Sequence, residues 1–115
     1  MENYREFEAG PDPFGRTWSV RFKWQMNGTS MRHTDTVDCK FIVGSDSDQS
    51  EKLVAILHPD LLDLSEKLGR PLTDPWVSRL ASLHIRNMIE TGEDMEKEIV
   101  TLTHEQLANY ASQIQ

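Results

Sequence analysis

One nine-residue stretch constrains this chain more than any other. In Trp18-Ser-Val-Arg-Phe-Lys-Trp-Gln-Met26 the apolar side chains fall at 18, 20, 22, 24 and 26, with polar residues between them. Strict period two is the pattern of a strand with one buried face. Asn27-Gly28 follows at once, and both residues tolerate positive φ, so the spacing predicts a two-residue hairpin turn. The returning strand then runs from Ser30 to Val43 and is rich in Thr, Val, Ile and Phe. On that turn Trp24 faces Met31, Phe22 faces His33, Val20 faces Asp35 and Trp18 faces Val37.

The rest of the chain changes character. An opening strand is expected near Tyr4–Glu8, with Gly10-Pro-Asp-Pro-Phe-Gly15 as its turn. A polar loop spans 44–50, and Leu53-Val-Ala-Ile-Leu57 reads as a short buried strand. His58-Pro59-Asp60 starts a helix that Gly69 ends. Thr73-Asp74-Pro75 starts a second, which reaches about Thr91 and stops at Gly92. Residues 99–102 fit a further short strand, and Thr103-His-Glu-Gln106 is a capping-box start for a last helix through Tyr110 to Ile114. Strands first and helices afterwards predict an α+β fold. We expect one domain over 1–115, strand-rich in 1–58 and helix-rich in 59–115. An antiparallel sheet of about four strands from the N-terminal half would be covered on one face by the C-terminal helices.

Charge and cysteine content narrow the class. At 115 residues with a net charge of -7, the chain is acidic, and residues 59–115 carry five Lys/Arg against ten Asp/Glu. That balance disfavours nucleic acid, whose binding draws on counterion release by a basic surface. The single cysteine excludes an intrachain disulfide and fits a reducing compartment. The first ten residues lack the apolar core of a signal peptide, and no apolar run approaches the ~20 residues that span a bilayer. The expected location is the cytoplasm, without membrane attachment.

Motifs for known chemistry are missing. There is no GxGxxG, GxxxxGK[ST] or CxxC, and His104-Glu105 lacks the second histidine of HExxH. Asp46-Ser-Asp48 opens like an EF-hand loop, but Glu51 occupies the glycine position and Leu57 the twelfth. No cofactor or metal is assigned.

One constellation remains. The predicted register puts His33 and Asp35 on the apolar face of the hairpin, at one end of a run through Val37, Cys39, Phe41 and Val43. In the second helix Trp76, Val77, Leu80, Ala81, Leu83 and Met88 form an apolar side with His84 near its centre and Asn87 within it. A helix laid on the sheet would bring His84 towards His33 and Asp35. A buried imidazole needs a hydrogen-bond partner, and a carboxylate is the obvious one. His33, Asp35 and His84 are therefore candidates for a polar pocket, set against the plainer reading of a structural network.

The opposite hairpin face carries Arg21, Lys23, Arg32 and Lys40. Like charges opposed across strands are unfavourable unless an anion lies nearby. This face is a solvated exterior or a surface for an acidic protein partner. Trp24, near the hairpin tip, is a candidate anchor. Cys39 reads as a buried structural thiol. Ile85 and Ile89 widen the apolar side of the second helix beyond what one sheet covers. It must be packed on two sides, by the other helices or by a second copy of the chain. The functional expectation is a small non-enzymatic binding or assembly module, homodimeric, that acts through its sheet face or its dimer surface. The alternative is a small enzyme or ligand-binding domain with a His/Asp pocket between sheet and helix.

Overall fold

The computed structural model describes residues 4–28, 35–45 and 48–114. Its elements are β1 (Glu6–Ala9), β2 (Trp18–Gly28), β3 (Thr36–Ser45), β4 (Asp48–Leu57), α1 (His58–Leu68), α2 (Asp74–Thr91), β5 (Ile99–Thr101) and α3 (His104–Gln113). The fold is α+β. The strands form one sheet in the order β1-β2-β3-β4-β5. Neighbours are antiparallel except β5, which lies parallel to β4. That parallel strand is the fifth member of a sheet expected to have about four, and it needs the α1–α2 crossover to reach its place.

The β2–β3 hairpin departs from the expected turn in two ways. β2 continues through Asn27 and Gly28, which pair with Val37 and Thr36. The connection is therefore longer than the two residues that Asn-Gly suggests, and the pairings drawn across that turn do not form. Val20 faces Val43 and Phe22 faces Phe41. The second departure is a bulge between Phe22 and Trp24. One extra residue, Lys23, reverses which side chains point to which face. Trp18, Val20 and Phe22 point to the helices, whereas Trp24 pairs with Lys40 and Met26 with Asp38 on the other face. Gln25 replaces Trp24 on the helix side, beside Cys39. β3 runs two residues past Val43 and β4 begins five residues before Leu53, which leaves little of the polar loop.

The helices start and stop where their sequence signals lie. Gly69 and Gly92 close α1 and α2 in left-handed conformation. Thr73 accepts from the Trp76 amide at the start of α2, and Thr103 with Gln106 forms a complete capping box on α3. Val37, Cys39, Phe41, Val43, Val54 and Ile56 form the covered face of the sheet and share one apolar cluster with Leu80, Ile85, Met88, Leu107 and Ile114. Ile85 and Ile89 are both buried within the single chain. The wide apolar side of α2 is thus satisfied by the chain's own sheet and helices, and it needs no second copy. Among the described residues no helix is long and apolar enough to cross a membrane.

Candidate functional site

α2 lies against the sheet and carries His84 into the interior, where 4% of its surface remains accessible. Nδ1 of His84 lies 2.9 Å from the Tyr110 hydroxyl of α3, and the two rings meet edge to face. Burial holds the imidazole pKa down at about 4, against a smaller opposing pull from Asp94. Burial likewise raises the Tyr110 phenol, helped by Glu93 and opposed by a hydrogen bond from Asn87. Both groups are uncharged at neutral pH.

His84 reaches a cavity of about 680 Å³ between α2, β5 and the start of α3, which Asp94, Val100, Thr101 and Gln106 also line. The wall at 92–98 is held in place. Lys52 is 3% exposed on the covered face of β4, and its ammonium donates to the carbonyls of Met95 and Lys97. Burial lowers the Lys52 pKa, while Glu96 and Glu98 oppose the shift. The Leu53 amide donates to the Glu98 carbonyl at 2.7 Å. Asp94 turns the loop with φ 57°, and Lys97 pairs with it at 3.1 Å.

Of the residues singled out in the sequence, Asp35 and His84 take different partners. His33 and Arg32 lie outside the described residues. Asp35 is exposed and pairs with His58, 3.1 Å from Nδ1, at the start of α1. The partner of His84 is a phenol rather than a carboxylate. Among the described residues no three His, Cys, Asp or Glu side chains come together as metal ligands. Cys39 is fully buried, and burial pushes its thiol up to about 12, with Asp38 and Asp74 adding to the shift. A thiol so far from ionisation is a packing group and a poor nucleophile.

The second feature is the open face of the sheet. Trp24, Lys40, Leu53 and Ile99 lie in one row across four strands. Met26 and Ile99 are 54% and 60% exposed. The Lys40 ammonium sits 5.7 Å from the centre of the Trp24 ring. The anion that the basic cluster called for belongs to the protein itself. Glu51 of β4 takes Lys23 at 2.8 Å on one oxygen and Lys40 at 3.1 Å on the other. These two bonds, Lys23 first, hold the Glu51 carboxyl below its usual range. Arg21 stands opposite Glu6 of β1 and is exposed.

Sequence reasoning named Trp24, Arg21, Lys23 and Lys40 on the hairpin but missed Glu51, Met26 and Ile99, whose place depends on register and on the parallel strand. Tyr110 was read only as part of a helix. Comparison with protein-family models, with characterised protein sequences and with solved structures finds no match.

Proposed function

We propose that this chain is a small non-enzymatic assembly module that pairs with a second copy of itself through the open face of its sheet. The observation that carries the proposal is the row Trp24–Lys40–Leu53–Ile99, which runs across the sheet with Trp24 and Leu53 partly exposed and Ile99 60% exposed. Its charges favour a like partner. The face carries Arg21, Lys23 and Lys40 against Glu6, Glu8, Asp38 and Glu51, close to balance in a chain of net charge -7. Two acidic molecules repel each other least where each is locally neutral. The internal ion pairs of Glu51 also remove the need for an acidic partner. Strands spaced about 4.8 Å apart and rising about 3.3 Å per residue give a five-stranded face a footprint on the order of 700 Å². A standard interface takes roughly 800 Å² from each partner.

The non-enzymatic reading draws on the two groups best suited to catalysis. The Cys39 thiol is buried and held far from ionisation, and His84 is bonded to the Tyr110 phenol. A single buried thiol suits the reducing cytoplasm, where we place the protein.

Light scattering on the purified chain across the micromolar range tests this reading. The expected mass is twice that of the chain, and Met26→Glu, a change at an exposed position, reduces it to the monomer with an unchanged circular dichroism spectrum. A wild-type monomer throughout that range overturns the proposal.

A further inference from the structure

We propose that the outer edge of β5 takes up a short, uncharged, extended segment of a partner protein as a sixth strand. The edge is distinct from the open face of the sheet, and the inference stands on its own observations.

The first is the direction of the β5 backbone. The ladder to β4 opens with the Leu53 amide donating to the Glu98 carbonyl at 2.7 Å. It closes with the Leu102 amide donating to the Ala55 carbonyl at 3.0 Å. A parallel ladder uses every second residue of a strand, so Glu98, Val100 and Leu102 turn their backbone groups towards β4. Ile99 and Thr101 turn theirs the other way. β5 is the last strand of the sheet, and among the described residues no hydrogen bond reaches the backbone of Ile99 or Thr101. Two N–H and two C=O groups therefore stand in a row at the spacing of a strand.

The second observation is the space beside that row. The cavity of about 680 Å³ is lined by Ile99, Val100 and Thr101 in succession, so it runs along the edge. Asp94 and Lys97 of the preceding loop and Thr103 and Gln106 at the start of α3 also line it. A three-residue edge set between that loop and that helix leaves room for one slim segment, not for a second folded copy with its own helices. The Lys52 ammonium and the Leu53 amide fix the carbonyls of 95, 97 and 98, so the groove is in place before a guest arrives. The third observation is the chemistry of the edge. β1, the opposite edge, presents exposed Glu6 and Glu8, and charges on an edge deter pairing. β5 presents Ile99 and Thr101, which are uncharged and β-branched and favour it. Alternation then sets the pattern of the guest. Its residues opposite Ile99 and Thr101 lie beside the 60% exposed Ile99 side chain and suit β-branched apolar groups. The residue between them turns to the cavity, where Thr103, Gln106 and the uncharged His84 suit a hydroxyl.

The probe is the capped peptide acetyl-Val-Thr-Val-Thr-Val-amide, with one relative N-methylated at its valines and another at its threonines. Backbone amide NMR follows the binding in the wild type and in Met26→Glu, so that pairing through the open face plays no part in the result. In the free protein the Ile99 and Thr101 amides should exchange with solvent rapidly, and those of Val100 and Leu102 slowly. The parent peptide should shift the Ile99 and Thr101 amides saturably and slow their exchange. N-methylation of the valines, whose N–H groups face β5, should weaken binding roughly tenfold, and that of the threonines should weaken it far less. Thr101→Pro removes one outward donor and no bond of the ladder, so it should fold and lose the peptide. Slow exchange at Ile99 and Thr101 in the free chain overturns the proposal, since another segment or a second copy then holds the edge. It is equally overturned by a peptide that leaves these amides unmoved at millimolar concentration, or that shifts only β1 or the open face. Equal weakening by the two N-methylated peptides, or binding that survives Thr101→Pro, overturns it as well.

Discussion

The five-stranded sheet presents two faces of opposite character. On the covered face Val37, Cys39, Phe41, Val43, Val54 and Ile56 are all at most 5% exposed. Its polar members are bonded: Gln25 reaches Asp74 at 3.1 Å and receives the Cys39 thiol, and Lys52 binds two loop carbonyls. On the open face apolar and charged residues lie side by side, and Met26 and Ile99 keep more than half of their surface in water. The covered face is committed to the fold, since every group on it already has its partner. The open face has surface left over, and the bulge at Lys23 put it there by moving Trp24 and Met26 across the sheet.

The largest way to sharpen that contrast is a deletion on the covered face. Phe41 is fully buried and meets Phe22 edge to face at 5.6 Å between ring centres. Phe41→Ala should cost about 3–5 kcal/mol in urea unfolding. A loss no greater than that of Met26→Ala would break the distinction between the faces. Next in size is the acid limb of stability. The folded pKa of His84, about 4, lies below its ordinary 6.5, so between those values the unfolded chain takes a proton that the folded chain refuses. Stability from this group is whole above pH 6.5, falls as the pH drops to 4, and amounts to about 3 kcal/mol over that window. In His84→Gln this slope should vanish between pH 6.5 and 4, as followed by unfolding at each pH. The smallest effect belongs to the open face. Glu51→Gln releases Lys23 and Lys40 and leaves their charges unbalanced, so self-association should weaken a few-fold, and added salt should recover most of it. Equal association with and without Glu51 would detach charge balance from the choice of partner.

Much of the fold was legible because its signals are local. Pro59, Gly69, Thr73, Gly92 and the Thr103–Gln106 box each act within one helical turn, and the helices begin and end at them. The alternation from Trp18 to Phe22 named the covered face correctly. It failed at Lys23, because a bulge is decided by the fit between two strands, and nothing in the nine residues announces it. Asn27-Gly28 misled for a related reason: turn propensity is a local preference, and pairing of Gly28 with Thr36 outweighs it. His84 was picked out as a polar residue on an apolar helix side. Its partner was not, since Tyr110 comes from another helix 26 residues away, and Asp35 is taken by His58. The width of the α2 apolar side suggested a dimer. The burial of Ile85 and Ile89 inside one chain moves the argument for self-association from the helix to the sheet.

The central claim is that two copies meet through the open face. Its most direct test is an isotope-edited NMR experiment on a mixture of labelled and unlabelled chains, which records only contacts between molecules. Intermolecular contacts are expected at the Met26 methyl and the Leu53 and Ile99 methyls, with none at Leu80 or Ile85. Intermolecular contacts confined to the helices, or none in a sample concentrated well above the micromolar range, would contradict it.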